Sequence, residues 1–344
     1  MKGFLEALKL YVTYPPAIAL LPEFAHKLPA NIERPKMSMA LEFAKKATMV
    51  LMVAVPPFRR AVNRYHLRLR DDGLIRFHGL YAKRFRRKLF ERLMPAVSAR
   101  WIVRFFGRDL IMPLDRDGMW LNWDLAVSIT GHDVEVVRAF EEFLSCSSPP
   151  NMFFDVGANY GTHSILFRAA DVPVMSFEPN PTCFSICKRV CDLNNLSVPT
   201  WNEVAIGDQM GKVDLVYPER ETWLGSISSN VVQTISKNRK MTYTSVPMYP
   251  LDAFFEQAVG KRLLMKIDVE GFELDVLRGA ARILSDIRPR VIFESNDRTI
   301  RPDLYALLSR YKYGVYDLPN THREPLGLDD FIERQATNFL ANPK

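Results

Sequence analysis

Short apolar segments alternate with helix-like segments through the second half of the chain, and this alternation limits the fold more than any other feature. Three apolar runs, Met152–Val156, Val174–Phe177 and Leu263–Ile267, are each followed at once by a glycine or a carboxylate. Short strands alternating with helices predict a parallel sheet covered on both faces. Ligands bind outside the carboxyl ends of the strands in such sheets, so the polar residues after these runs are candidate site residues.

The same periodicity predicts the elements between and around these runs. The expected helices are Val134–Leu144, Thr162–Ala170, Thr182–Leu193 and Glu273–Leu284. The further expected strands are Trp201–Ile206, Val213–Tyr217 and Val291–Phe293, the last ending at Glu294.

The composition is that of a folded protein. Of the 344 residues, 48% are hydrophobic and 25% are charged, which excludes collagen, coiled coil and wholesale disorder. Four cysteines exclude a disulfide scaffold. The charge-free stretches are shorter than the roughly 20 residues that a membrane-spanning helix needs. Because Glu6 and Pro15-Pro16 interrupt any signal-peptide core, we expect no export and a cytoplasmic location with reduced thiols.

Positive charge is concentrated in the first half of the chain. Residues 59–108 contain 15 Lys and Arg against 3 Asp and Glu. A basic patch of this kind can meet nucleic acid, anionic lipid or an anionic glycan, and a solvated face is an equally good interpretation. The charge-free segments Leu10–Pro22 and Ala47–Phe58 are candidates for peripheral membrane contact. We therefore divide the chain into a mainly helical, basic region (residues 1–120) and an α/β domain (residues 121–344).

The strongest local motif joins the first strand to the next helix. It contains Asp155, Gly157, Asn159 and Gly161, and glycines there let the backbone approach a ligand closely. Glu178 follows Gly157 by 21 residues, at the end of the next strand. This spacing suits a carboxylate that accepts both ribose hydroxyls of an adenosine, and predicts a nucleoside cofactor. A tight strand–helix turn without a ligand is the alternative.

The residue at position 159 bears on which cofactor is bound. A dinucleotide motif places glycine there, where a pyrophosphate presses closest to the backbone, and this chain has Asn159. S-adenosylmethionine fits better, because it has no phosphate and its sulfonium would lie near the carboxylates of Asp155 and Glu178.

Several motifs resemble those of the FkbM-type methyltransferases in order and spacing. They are Phe177-Glu178-Pro179-Asn180-Pro181, Asn194-Asn195, Ala205–Asp208, Lys266–Glu273 and Leu277-Arg278-Gly279-Ala280. The resemblance spans roughly residues 122–319 and implies a class I methyltransferase fold with a seven-stranded, mostly parallel sheet. It also implies S-adenosylmethionine as cofactor and O-methylation of a sugar or secondary-metabolite hydroxyl. Residues 1–120 lie outside it.

The resemblance also implies roles for individual residues. Gly157, Asn159 and Gly161 would surround the methionine moiety, and Glu178 would bind the ribose with Asn180 beside it. The segment Val204-Ala205 would flank the adenine. Asp268 would face both cofactor and acceptor, and His163 would lie near the methyl donor.

Proton removal from an acceptor hydroxyl needs a base within hydrogen-bond reach. Asp268 is our first candidate, followed by His163, Glu294 and Glu270. For Glu270, bracing of the following turn is an equally good interpretation. Lys266 precedes Asp268 by two positions and is expected on the same side of the strand, where it would hold Asp268 ionised or simply lie at the strand edge. Asp268, Glu270 and Glu294 also have the oxygen ligands that divalent cations prefer, but strand ends commonly carry solvated carboxylates, and we predict no metal.

The cysteines at positions 183, 187 and 191 recur every four residues. The outer two would be about 12 Å apart along a helix, too far to share a zinc ion, so we predict that all three pack against the sheet.

Two rival functions remain open from the sequence. One is a non-catalytic protein that binds nucleic acid or another anionic surface through residues 59–108, although no recognition motif lies there and nucleic acid is not our expected partner. The other is an NAD-dependent oxidoreductase, which would need the glycine that Asn159 replaces.

Overall fold

The computed structural model describes residues 48, 51–52, 55–82, 99–114, 119–218, 225–227, 240–318 and 324–344, with no account of the side chains of residues 119–121. These residues belong to two compact units. The first comprises Met1–Val103 and Ile111–His132, and the second comprises Arg104–Leu110 and Asp133–Lys344. The predicted division into residues 1–120 and 121–344 stays a prediction.

The described part of the first unit packs around aromatic rings. Its helices are α1 (Pro56–His66), α2 (Asp71–Tyr81) and α3 (Met119–Gly131), and it shares with the second unit a hairpin of β1 (Ala99–Phe105) and β2 (Arg108–Leu114). The rings of Trp101 and Trp123 meet edge to face with centroids 4.9 Å apart. The hairpin lies in a region that we expected to be mainly helical. Its buried and exposed residues alternate along β1, which places Arg100 and Arg104 on the solvent face.

Seven strands form the central sheet of the second unit. They are β3 (Met152–Val156), β4 (Val174–Phe177), β5 (Thr200–Asn202), β9 (Leu263–Ile267), β10 (Arg290–Glu294), β11 (Tyr313–Asp317) and β12 (Asn338–Pro343). Their order across the sheet is β5-β4-β3-β9-β10-β12-β11. Neighbours from β5 to β10 are parallel, and β12 is antiparallel to both of its neighbours.

This strand order is that of the class I methyltransferase fold, as predicted. The chain order reverses between β3 and β9, which makes the carboxyl ends of these two strands the topological switch point where ligands bind in open α/β sheets. Both strands are buried along their whole length, as is usual where helices cover both faces of a sheet.

Helices of the second unit separate the strands. They are α4 (Val134–Ser145), α5 (Thr162–Ala169), α6 (Cys183–Leu193), α7 (Phe255–Ala258), α8 (Glu273–Arg278), α9 (Arg301–Arg310) and α10 (Leu328–Glu333). The predicted helix Glu273–Leu284 is wrong in its extent, because α8 ends at Arg278 and a π-helical turn follows at Ile283–Ile287.

A smaller sheet contains β6 (Ala205–Gly207), β7 (Gly211–Pro218) and β8 (Met241–Pro250) in the order β6-β8-β7. The predicted single strand Trp201–Ile206 is therefore two strands in two sheets, β5 and β6. Residues 203–204 separate them, and β6 pairs with β8 instead of continuing the central sheet.

Candidate active site

Glu178 is the carboxylate immediately after β4. It is buried, and its two oxygens accept hydrogen bonds of 2.8 Å from the backbone N–H groups of Asn159 and Asn180. Burial raises the pKa of Glu178 to about 7 against the effect of these two donors, and the carboxylates of Asp155 and Asp268 raise it further. Glu178, the residue predicted to bind the ribose, is thus hydrogen-bonded directly to the loop that follows β3.

Asn159 and Asn180 hold the backbone of this region in shape. Asn159 adopts a left-handed conformation with φ of 49°, which asparagine tolerates better than most residues. The side-chain oxygen of Asn180 accepts hydrogen bonds from the backbone N–H and the hydroxyl of Thr182, at 3.1 and 2.8 Å. Asn180 therefore shapes the turn that leads into α6, and its own N–H orients Glu178.

Asp155 lies at the penultimate position of β3 and is tied to α5. Oδ2 of Asp155 accepts hydrogen bonds from the backbone N–H and the hydroxyl of Ser164 at 2.9 and 2.5 Å, and the Ser164 hydroxyl also contacts Oγ of Ser176 at 2.7 Å. Burial raises the pKa of Asp155 to about 6, although the Ser164 hydroxyl and the Lys266 ammonium act to lower it. In this structure Asp155 anchors the first turn of α5.

His163 lies beside Asp155 on the first turn of α5. Its Nδ1 is 4.0 Å from Oδ1 of Asp155, and its ring meets the Phe140 ring edge to face at 5.3 Å. These contacts place His163 next to the loop after β3, and its role near a methyl donor stays a prediction.

The loop after β9 is held to the loop after β3. The backbone N–H of Asp268 donates to the carbonyl of Val156 at 2.9 Å. Gly157 has φ of +79°, and a β-carbon there would lie 1.8 Å from the carbonyl oxygen of Asp268, so only glycine fits. The two predicted site segments therefore meet at the switch point.

A second set of contacts braces the turn after Asp268. The buried carboxylate of Glu273 accepts hydrogen bonds from the N–H groups of Val269 and Gly271 at 3.2 and 3.1 Å. The hydroxyl of Ser226 donates to the carbonyl of Glu270 at 3.0 Å, and Glu270 has a positive φ of 52°. The bracing role that the sequence left open for the Glu270 side chain is performed at these positions by Glu273.

Lys266, Asp268 and Glu294 form a charged cluster at the ends of β9 and β10. The Lys266 side chain is fully buried, and its Nζ lies 3.1 Å from Oδ2 of Asp268. Burial by itself lowers the pKa of Lys266, but the carboxylates of Asp268, Glu294 and Asp133 outweigh it and the net pKa is raised. Burial also raises the pKa of Glu294 to about 9, with Asp268 adding to the effect and Lys266 opposing it.

The segment Val204-Ala205 leads from β5 into β6. Val204 is partly buried against the core of the central sheet, and Ala205 is buried against β8, where it pairs with Met248. Their place beside an adenine stays a prediction.

The three cysteines of α6 are buried, which confirms the predicted packing role. The Sγ and Cβ atoms of Cys187 would collide with a β-carbon at Gly161, so this helix packs closely against the glycine loop. Across the described ranges, no group of three or more His, Cys, Asp or Glu side chains is placed to hold a metal ion.

Sequence reasoning missed several residues that position the site. Ser164 binds Asp155 and is itself contacted by the Ser176 hydroxyl, and Glu273 and Ser226 shape the turn after Asp268. Only Glu273 had a signal in the sequence, since it lies inside the conspicuous acidic run after Asp268.

Parts of two predictions fall outside the described residues. They are the segment Leu10–Pro22 with residues 47, 49–50 and 53–54 of the second charge-free segment, and residues 83–98 of the basic stretch. Within the described ranges, no helix is long and apolar enough to cross a membrane.

The fold and the strand-end carboxylates together define a class I methyltransferase. Residues 155–314 match the family described as "Methyltransferase FkbM domain". The matched segment begins at Asp155 and includes Glu178, Asp268 and Glu294. Residues 155–314 are thus similar to the FkbM-type methyltransferase domain, as the motifs predicted, and the findings support an S-adenosylmethionine-dependent methyltransferase.

Two curated relatives of this chain are named methyltransferases. The hexuronic acid methyltransferase AglP of Haloferax volcanii is 28% identical over 188 residues, which are 55% of this chain and 72% of the relative. Methyltransferase 1 of Beauveria bassiana is 26% identical over 158 residues, 42% of this chain and 64% of the relative. A solved FkbM methyltransferase from Methylobacillus flagellatus is 17% identical with a TM-score of 0.39, covering 66% of this chain and 54% of that one.

Proposed function

We propose that the protein transfers a methyl group from S-adenosylmethionine to a hydroxyl of a sugar, with the cofactor held at the carboxyl ends of β3 and β4. The observation that carries this proposal is the position of Glu178. Its carboxylate is fixed by the N–H groups of Asn159 and Asn180, at the strand end next to the glycine loop.

The residues present fit the adenosine part of this cofactor. The ionised Glu178 carboxylate has only acceptor atoms, and ribose hydroxyls are donors. Each carboxylate oxygen has a lone pair beyond the one that receives a backbone N–H, so the diol can bind without breaking the loop contacts. Gly157, Asn159 and Gly161 would hold the methionine part, and Val204 with Ala205 would flank the adenine.

The acceptor side of the proposal rests on Asp268. When bound, the cofactor supplies a methyl carbon whose bond to sulfur breaks with the electron pair remaining on sulfur. Asp268 would take the proton of the acceptor hydroxyl as the hydroxyl oxygen bonds to that carbon. Asp268 is partly exposed, with 27% of its side chain accessible, and lies at the switch point where an acceptor would meet the cofactor.

One observation supports a sugar as the acceptor molecule. The relative from Haloferax volcanii is named a hexuronic acid methyltransferase, and the other curated relative described above is named only a methyltransferase. A cytoplasmic location belongs to the same proposal and agrees with the four unpaired cysteines.

Binding of S-adenosylhomocysteine, with NADH as a comparison ligand, tests the cofactor assignment. At about 100 times its dissociation constant a ligand stabilises the folded state by roughly 2.7 kcal/mol, which thermal unfolding resolves readily. We expect this shift with S-adenosylhomocysteine alone, retained in Glu203→Ala, an exposed carboxylate that follows β5, and lost in Glu178→Ala. A shift that survives Glu178→Ala, or one that NADH produces equally, would overturn the assignment.

A further inference from the structure

The register of β9 and β10 brings two carboxyl groups together. Lys266 on β9 pairs with Ile292 on β10 in parallel register. Two positions further along each chain lie Asp268 and Glu294, and residues two apart on a strand share a face. Because neighbouring strands are only about 4.8 Å apart, Asp268 and Glu294 leave the sheet side by side.

The buried ammonium of Lys266 interacts with both carboxyl groups, and its interaction with Asp268 is the more direct. Nζ of Lys266 is 3.1 Å from Oδ2 of Asp268, a direct charge-assisted hydrogen bond. Its effect on Glu294 is only that of a nearby opposite charge. Two neighbouring carboxyl groups cannot both ionise without a large cost in free energy. The carboxyl group that has the closer positive partner therefore carries the negative charge.

We propose that Lys266 is a positioning residue that places the negative charge of this pair on Asp268 and leaves the proton on Glu294. Asp268 would then face the acceptor as an oriented carboxylate able to take the hydroxyl proton. The use of this arrangement in catalysis rests on the proposed function, whereas the arrangement itself does not.

The electrostatic surroundings agree with this assignment. The carboxylates that act on Lys266 and Glu294 come from several elements: Asp133 before α4, Asp268 and Glu270 after β9, and Glu273 in α8. They keep Lys266 charged, and burial together with these carboxylates raises the pKa of Glu294 to about 9, so Glu294 is neutral near pH 7. Lys266 is the one buried cation among these residues. A neutral Glu294 therefore reduces the excess of negative charge around it.

Carbon-13 NMR of the full-length chain, labelled at the carboxyl carbons of Asp and Glu, tests the proposal directly. At about pH 8 we expect one buried carboxyl with the chemical shift of a protonated acid, absent in Glu294→Gln. The Asp268 resonance, identified by Asp268→Asn, should be that of an ionised carboxylate. Asp268→Asn should also lower the midpoint at which Glu294 titrates, because Asp268 raises it.

Variants of the lysine separate charge from packing. Lys266→Met should raise the Glu294 midpoint by about one pH unit or more, because the positive charge that opposes this rise is removed. Lys266→Arg, which keeps the charge, should restore the wild-type pattern. Lys188→Met removes a lysine from an exposed pair with Asp192, 2.6 Å apart, and should change neither resonance.

Either of two results would overturn the proposal. One is a Glu294 carboxyl that titrates in the ordinary glutamate range, and the other is a Glu294 midpoint unchanged by Lys266→Met. Where Lys266→Met does not fold, an unchanged Glu294 midpoint in Asp268→Asn has the same meaning. Failure of wild-type protein to bind S-adenosylhomocysteine would contradict the proposed function and leave these titrations as they stand.

Discussion

Gly157 and Asp268 come from different strands, and their backbones are in such close contact that a β-carbon on residue 157 would lie 1.8 Å from the Asp268 carbonyl oxygen. This contact joins the loop after β3 to the loop after β9. It fixes the distance between the segment assigned to the cofactor and the carboxylate assigned to the acceptor.

We expect Gly157→Ala to destabilise the protein by about 2–4 kcal/mol and to abolish binding of S-adenosylhomocysteine, because the new methyl group must push the two loops apart. Urea unfolding measures the first effect and calorimetric titration the second. Gly260→Ala is the matched control, since Gly260 also has a positive φ, of 68°, but open space around it. Equal losses of stability in the two variants would show that backbone conformation, and not the contact with Asp268, explains the glycine.

The affinity for S-adenosylhomocysteine should fall as the pH is lowered through 7. The pKa of Glu178 is raised to about 7, so the carboxylate that accepts the ribose hydroxyls becomes protonated below that pH. Each pH unit below 7 should then weaken binding by about tenfold. Calorimetric titration between pH 5 and 8 checks this, and Glu178→Gln should bind weakly with a flat profile while Glu203→Gln follows the wild type. A wild-type profile that is flat through pH 7 would contradict the role of Glu178.

Acid should loosen the aromatic core of the first unit. Burial lowers the pKa of His66 to about 4, and its ring packs against Phe77 and Trp101 with centroids 4.8 and 5.3 Å away. An unfolded histidine takes up a proton near pH 6.5, so the unfolded state binds more protons between pH 6.5 and 4 and stability falls as the pH drops through that window. The cost is about 2 kcal/mol between pH 7 and pH 5.

Tryptophan fluorescence during urea unfolding reports on this core through Trp101. In His66→Phe, which keeps a ring in contact with its neighbours, the loss of stability between pH 7 and 5 should shrink by about the same 2 kcal/mol. His78→Gln, a half-buried histidine bonded to Ser128 in the same unit, should retain the wild-type loss. An unchanged acid sensitivity in His66→Phe would rule out His66 as its cause.

Much of the site could be predicted because it lies at strand ends. Strands β3, β4 and β9 have the bounds that the apolar runs predicted, and each is followed by the expected polar residue or glycine. An apolar run buried on both faces ends where the chain meets water or a ligand, and that change is visible in a single sequence.

The parts that could not be predicted depend on partners distant in the chain. Residues 200–207 form two strands because β6 pairs with β8, which lies some 40 residues later in the chain. No local pattern specifies that pairing. The contact of Ser226 with the Glu270 carbonyl likewise joins residues 44 positions apart. The hairpin of β1 and β2 did have a local signal, the alternation of Trp101, Val103 and Phe105 with exposed or half-buried residues, which the dense basic charge obscured.

The most direct test of the central claim is transfer of a radiolabelled methyl group from S-adenosylmethionine to glycosides of hexuronic acids. We predict label in an ether that survives mild alkali, because a hydroxyl is the acceptor. The rate of methyl transfer should be at least about tenfold lower in Asp268→Asn. It should be unchanged in Asp214→Asn, which alters an exposed aspartate on β7. Label in an alkali-labile methyl ester would place the methyl on the carboxylate of the sugar and contradict the hydroxyl assignment. A rate in Asp268→Asn equal to that of the wild type would contradict the role of Asp268 as proton acceptor.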